Sequence, residues 1–241
     1  MEYRTLSEPE AQDLAGRIVY EDNHLLVVNK RPGEIVQGDK TGDEPLSEKY
    51  KAFIAGRDGK PGKVFIGVPH RIDRPVGGLC VFAKTSKALE RLSEMFREGK
   101  VHKTYWALVC APPPKPQGEL TQWLTRNEKL NKSFICKGAP NGSAPKPEAK
   151  LAKLRYKLIG HTERYFLVEV ELLTGRHHQI RCQLASIGCP IKGDLKYGSP
   201  RSNPDGSISL LARHISLTHP VKKTPLELTV SVPSSWPTLQ L

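Results

Sequence analysis

Two stretches of this 241-residue chain carry residue types that can do chemistry. The first is Pro69-His70-Arg71-Ile72-Asp73-Arg74-Pro75-Val76-Gly77-Gly78-Leu79-Cys80-Val81-Phe82-Ala83-Lys84-Thr85. Asp73 stands between two arginines and ahead of Pro75 and a glycine pair, so it belongs to a tight loop. Leu79 to Ala83 then has the length and apolar character of a buried strand. A carboxylate on a tight loop against a core strand is mounted as a nucleophile or an acid/base should be. Taken alone, an Arg-x-Asp-Arg is more often a surface ion pair of little consequence. The second stretch is Thr174-Gly175-Arg176-His177-His178-Gln179-Ile180-Arg181. His177, His178 and Cys182 invite a zinc reading, but adjacent histidines are expected to face apart and no fourth ligand is placed, so no metal is expected.

The wording of these stretches resembles the motifs of the RluA-type pseudouridine synthases. Their catalytic motif has Leu where Ile72 stands and Ser or Thr around Val76-Gly77. Their first motif, an apolar strand running into Asn-Lys-Pro-x-Gly, is similar to residues 25–33, with Arg31 inserted between Lys30 and Pro32. Lys103-Thr104-Tyr105-Trp106-Ala107-Leu108-Val109 fits the family's Lys-x-Tyr-x-Ala-x-Val. Residues 174–181, then Leu184, Gly188, Pro190-Ile191, Gly193-Asp194 and Tyr197-Gly198, fit its Thr-Gly-Arg-x-His-Gln-Ile-Arg and following pattern. The resemblance runs from about residue 17 to 233.

The resemblance implies isomerisation of a specific uridine in structured RNA, a ribosomal or transfer RNA stem-loop, to pseudouridine. The base is retained, so no cofactor is implied. Because a folded RNA hides the base, the nucleotide must be flipped out. By resemblance Arg71 fills the vacated stack, with Arg74 and His70 also on the RNA. Asp73 is the nucleophile at C1′ or the base that takes the 2′ proton, and both roles need an ionised carboxylate. Arg181 is its cationic partner, a planar fork that opposes desolvation. Tyr105 stacks on the uracil and helps remove the C5 proton. Lys30, Pro32, Arg176, His178, Gln179, Leu184 and Ile191 take supporting positions, Leu184 or Ile191 beneath the base. One rival is a catalytically inactive RNA-binding or RNA-chaperone protein of the same fold. A second is a paired-carboxylate hydrolase, for which Asp194 is the sole second acid and stands in a turn-like Gly-Asp setting.

The elements that must hold these residues follow from pattern. Residues 1–16 are a polar, helical lead-in. Arg17–Tyr20 and Leu25–Lys30 form a hairpin, with a short amphipathic piece near Leu46–Ile54 and a strand at Val64–Val68. A helix follows with Ser86 as N-cap, Ala88, Leu89, Leu92, Met95 and Phe96 on one face, and Gly99 as its stop. The strand at 103–109 sets Tyr105 and Trp106 on opposite faces. Residues 111–150 hold most of the loops. From Arg126 to Arg155 there are eight basic residues against two acidic, which reads as a flexible basic finger near 127–150 that contacts RNA backbone, or else as a solvated loop. Two alternating strands at 152–158 and 166–172, a helix over 183–188, a turn and strand within 205–219 and a strand at 226–232 complete the chain. The class is α+β: a bent, mixed, mostly antiparallel sheet with flanking helices and a central cleft, forming one catalytic domain over 17–241.

Composition agrees. Lys and Arg number 37 against 25 acids, a formal charge of +12, which suits a polyanionic partner. Five cysteines without a Cys-x-x-Cys pair read as reduced and structural. No apolar run of about 18 residues is present and the N-terminus has no apolar signal core. A cytoplasmic monomer without the small accessory domain of many relatives is therefore the expectation.

Overall fold

The computed structural model describes residues 3–39, 41–59, 62–137 and 145–241. The chain forms two compact units, Met1–Val101 with His214–Val230, and His102–Arg213 with Ser231–Leu241. The elements begin with α1 (Glu8–Gly16), β1 (Ile18–Glu21), β2 (Leu25–Lys30), α2 (Leu46–Asp58), β3 (Gly77–Ala83) and α3 (Ser86–Arg97). They continue with β4 (His102–Val109), β5 (Gln117–Asn127), β6 (Lys132–Cys136), β7 (Lys150–His161), β8 (Phe166–Leu172) and α4 (Gln179–Ser186). A 3-10 turn (Leu195–Tyr197), β9 (Leu210–Thr218) and β10 (Pro225–Thr229) close the order. The fold is α+β, with antiparallel strand pairs and flanking helices, as expected.

In the first unit the expected hairpin of β1 and β2 is present, in the register Ile18↔Val28 to Glu21↔Leu26. Its turn is locked by Asp22, whose Oδ1 accepts from the backbone N–H of His24 and Leu25 at 2.8 Å each. β2 pairs β3 from Leu25↔Ala83 to Lys30↔Gly78, and every residue of β3 is buried. α3 is capped one residue earlier than expected. The Thr85 hydroxyl, not Ser86, accepts the Ala88 N–H at 3.2 Å, and Gly99 (φ 71) follows the helix end.

The expected strand at Val64–Val68 does not form. A lone bridge joins Gly67 to Ala83. Continuing it would set residue 69 against Val81, but Pro69 has no N–H to give, and the Val81 N–H is taken by the His70 ring at 2.9 Å. The strand stops there, and the chain turns out into the Asp73 loop.

In the second unit the strands lie in the order β4-β8-β7-β5-β6. The expected basic outer face of β7 is found, with Ala152, Leu154 and Tyr156 buried. The expectation of loops over 111–150 is corrected: β5 and β6 form a hairpin, in register from Trp123↔Cys136 to Asn127↔Lys132. β5 also pairs β7 along its length. Residues 138–144 of the expected finger lie outside the described residues. The helix expected over 183–188 begins earlier, at Gln179, and so carries Arg181. It covers one face of β5 and β6, where Cys182 packs with Leu124, Ala152 and Tyr197.

Candidate active site

The Asp73 loop is built in the first unit. The Val76 N–H donates to the Asp73 carbonyl at 3.0 Å, closing a turn over Arg74-Pro75. The Arg74 carbonyl also accepts from the Gly33 N–H at 2.8 Å. From beneath, the Lys30 ammonium, 1% exposed, donates to the carbonyls of Arg31 (2.8 Å), Arg74 (3.1 Å) and Val76 (2.8 Å). An ammonium has three donors and no acceptor, so these bonds satisfy it in full. Burial pushes its pKa down to about 8. The Arg31 side chain pairs with Asp13. Pro32 lies against Gly77, where an added Cβ would stand 3.2 Å from the proline Cδ. Lys30 and Pro32 thus brace the loop that bears Asp73.

Asp73 is half-buried and Ile72 beside it is buried. Arg71 is exposed, and Arg74, also exposed, pairs with Asp43 at 2.6 Å. His70 is built into the fold: its Nε2 accepts the Val81 N–H, and its ring stacks on Phe96 with centroids 4.3 Å apart. That bond assigns the Nε2 lone pair to the loop's anchor.

The remaining site residues belong to the second unit. Tyr105 on β4 is buried, and Trp106 points the other way, its Nε1 donating to Glu169 at 3.1 Å. Tyr105 faces Val170 of β8, which faces Tyr156 of β7, so it lies on the side of the sheet that α4 covers. Lys103 shares that side, and burial lowers its pKa. On α4, Arg181 forks onto Asp194: its Nε is 2.7 Å from Oδ2 and its Nη2 2.9 Å from Oδ1. Both side chains are buried. The Arg181 guanidinium also lies 5.1 Å from the Tyr197 ring centroid. Asp194 is set by Gly193 (φ 90), where an added Cβ would meet the Ser207 carbonyl at 2.6 Å.

The start of α4 is a polar knot. Gln179 Oε1 accepts from the Thr174 hydroxyl at 2.8 Å and the Arg176 N–H at 3.0 Å, and its Nε2 donates to the Lys153 carbonyl at 3.0 Å. Arg176 Nε donates to the Leu151 carbonyl at 2.9 Å. His178 caps the helix in the left-handed region (φ 50), its Nδ1 3.1 Å from the Tyr197 hydroxyl. Burial first, then the Arg181 and His177 charges, hold its pKa far below the ordinary imidazole value. The expectation that His177 and His178 face apart is corrected: their rings stack 3.8 Å apart. Side chains alternate only along extended backbone, and the left-handed turn at His178 cancels the alternation. Leu184 and Ile191 are fully buried.

Asp73, Arg71, Arg74, His70, Lys30 and Pro32 thus share one unit, and Tyr105, Arg181, Arg176, His178, Gln179, Leu184 and Ile191 the other. Sequence reasoning gave Asp194 a part only in the rival hydrolase, and Tyr197 and Ser133 none. The first two stood in the Gly-Asp-x-x-Tyr-Gly pattern; for Ser133, whose N–H donates to the Tyr197 hydroxyl at 2.7 Å, there was no signal.

Residues 24–186 match the family described as RNA pseudouridylate synthase. The chain is 33% identical over 225 residues to ribosomal large subunit pseudouridine synthase C of Vibrio vulnificus, covering 91% of this chain and 65% of that protein. It is 30% identical over 234 residues to ribosomal large subunit pseudouridine synthase D of Zymomonas mobilis, covering 93% and 71%. A second synthase C, from Vibrio parahaemolyticus, is matched over 55% of its length, so the chain spans under two thirds of the two Vibrio synthases C. The solved structure of human RNA pseudouridylate synthase domain containing 4 shares the fold, with a TM-score of 0.77 at 24% identity over 93% of this chain and 91% of that one.

Proposed function

Because the chain belongs to the RNA pseudouridylate synthase family, we propose that it isomerises a specific uridine in structured RNA to pseudouridine. The N1–C1′ bond breaks, the uracil turns while held, and a C5–C1′ bond forms; the C5 proton is lost and N1 regains one. Atoms balance without a co-reactant. Asp73 acts on the ribose, as nucleophile at C1′ or as base at the 2′ position. Arg181 is the cation that keeps that carboxylate ionised, and Tyr105 stacks on the uracil. Arg71, exposed on the same loop, enters the gap left by the flipped nucleotide, with Arg74 on the adjacent phosphate. His70, Lys30 and Pro32 position the loop. His178, Gln179 and Arg176 position α4.

The observation that carries this reading is that the family match over residues 24–186 contains Asp73, Tyr105 and Arg181 and runs through both compact units. We accordingly read the two units as one catalytic domain. The bacterial relatives named for the large ribosomal subunit favour ribosomal RNA as substrate and the cytoplasm as its place. No described helix is long and apolar enough to cross a membrane.

The test is release of tritium from RNA labelled at uridine C5, with pseudouridine mapped in total RNA from a strain lacking the gene. Release by the purified protein and loss of defined pseudouridines in that strain are expected. RNA binding without release would leave a non-catalytic RNA-binding protein of this fold.

A further inference from the structure

We propose that the β5–β6 hairpin is a second RNA-docking surface, on which an unpaired base outside the reacting uridine stacks on Phe134 while Arg126, Lys129 and Lys132 meet the flanking phosphates. It rests on the reading of the chain as an RNA-modifying enzyme and adds where on the second unit the RNA is held.

The hairpin keeps apolar surface in water. Phe134 is 40% exposed and Leu130 58%, and Leu195, on the 3-10 turn, is 58% exposed. Lys196 ties that turn to the hairpin, its Nζ donating to the carbonyls of Leu130 (3.2 Å) and Asn131 (3.1 Å). Of the five exposed large apolar side chains among the described residues, Leu130 and Phe134 thus belong to the hairpin and Leu195 to the turn tied to it.

The apolar surface is set among cations. Residues 126–132 hold Arg126, Lys129 and Lys132 against the one carboxylate Glu128. Lys132 and Phe134 share a strand face, and the ammonium stands 5.5 Å from the ring centroid. The register puts Thr125 opposite Phe134 and Trp123 diagonal to it on the same face. An exposed ring with an ammonium over it, on a hairpin whose tip carries two further cations, suits a polyanion whose bases offer π-faces, because stacking and phosphate contacts then add. A protein partner of ordinary composition would have to desolvate those charges.

The platform is also rigid and connected to the site. Asn131 turns the hairpin at φ 44, and its side-chain oxygen is 3.1 Å from His177 Nε2. The Ser133 hydroxyl donates to the His177 carbonyl at 2.6 Å. The Tyr197 ring lies 5.0 Å from the Lys132 ammonium and 5.1 Å from the Arg181 guanidinium. RNA held on the hairpin is thus linked to Arg181 through one aromatic ring.

The experiment measures Kd for a transcribed, unmodified bacterial large-subunit ribosomal RNA at several salt concentrations, with tritium release followed in parallel. Phe134→Leu and Phe134→Ala are expected to weaken binding roughly tenfold, and Phe134→Trp to retain it, since stacking needs a ring. An Arg126→Ala, Lys129→Ala double variant is expected to flatten the salt dependence by about two phosphate contacts. Unaltered melting of the Phe134 variants checks folding. Wild-type affinity in Phe134→Leu overturns the proposal, as does a wild-type dimer that Phe134→Ala dissociates with RNA affinity intact. If the wild-type protein releases no tritium while the Phe134 series still orders as stated, the docking surface stands and the isomerase reading falls.

Discussion

Arg181 and Asp194 form a buried, two-point ion pair, with donor–acceptor distances of 2.7 and 2.9 Å. A guanidinium held at two nitrogens cannot rotate away, so Asp194 fixes the cation that we propose as partner of the Asp73 carboxylate. Removing one partner of such a pair leaves a buried charge uncompensated, at about 3–5 kcal/mol. Asp194→Asn is therefore expected to lower the urea midpoint sharply and the single-turnover rate with it. Asp194→Glu, which restores the charge, is expected to recover stability in part but not the rate. Wild-type rate in a folded Asp194→Asn protein would remove Asp194 as a positioning residue.

The Lys30 bonds give a second prediction. Lys30→Met leaves the carbonyls of Arg31, Arg74 and Val76 without that donor. Buried acceptors left in this way cost about 1–3 kcal/mol each, offset by the removal of a buried charge. The loop is expected to loosen, read as faster protease cleavage around residues 71–76 and a slower turnover. Lys30 titrates at about 8 in the fold and at about 10.4 when unfolded. Between those values the unfolded chain binds more protons, so the Lys30 contribution to stability rises with pH across that window. The difference in unfolding free energy between wild type and Lys30→Met, measured at pH 7.5, 8.5 and 9.5, is expected to grow. A flat difference would contradict the assignment.

Acid stability tests the histidine knot. Burial holds His178 neutral in the fold, and burial likewise lowers His219, whose Nε2 lies 3.0 Å from Asp22. Both folded pKa values lie below the unfolded one of about 6.5. Below that pH the unfolded chain takes up protons that the fold refuses, so stability is full above it and falls as the pH drops. Each proton contributes about 1.4 kcal/mol per pH unit. His178→Asn keeps a residue that tolerates the left-handed cap and is expected to shrink the loss between pH 6.5 and 5.5. An unchanged acid slope in that variant would show that His178 titrates normally.

Much of the scaffold was legible because its patterns are local. The β1–β2 hairpin, α3, β4 and the β7–β8 pair each announce a face through period-2 or period-3.6 spacing. β5 does not: from Gln117 to Asn127 one face is polar at all but Trp123 and the other mixes Leu120 and Leu124 with Gly118, Gln122 and Arg126, and the pairing that makes it a strand comes from β7. Val64–Val68 looked like a strand, but Pro69 and the His70 ring stop the ladder after one bridge. The grip of Asp194 on Arg181 spans a helix and a turn, and no spacing rule reports it. The stacking of His177 on His178 depends on a single positive φ that the residue types do not signal.

The central claim is that the carboxylate of residue 73 does the chemistry. The most direct measurement is single-turnover tritium release by Asp73→Asn at a protein concentration that saturates C5-labelled RNA. The account predicts RNA affinity and melting close to wild type, with no release above background. Release at the wild-type rate would contradict it.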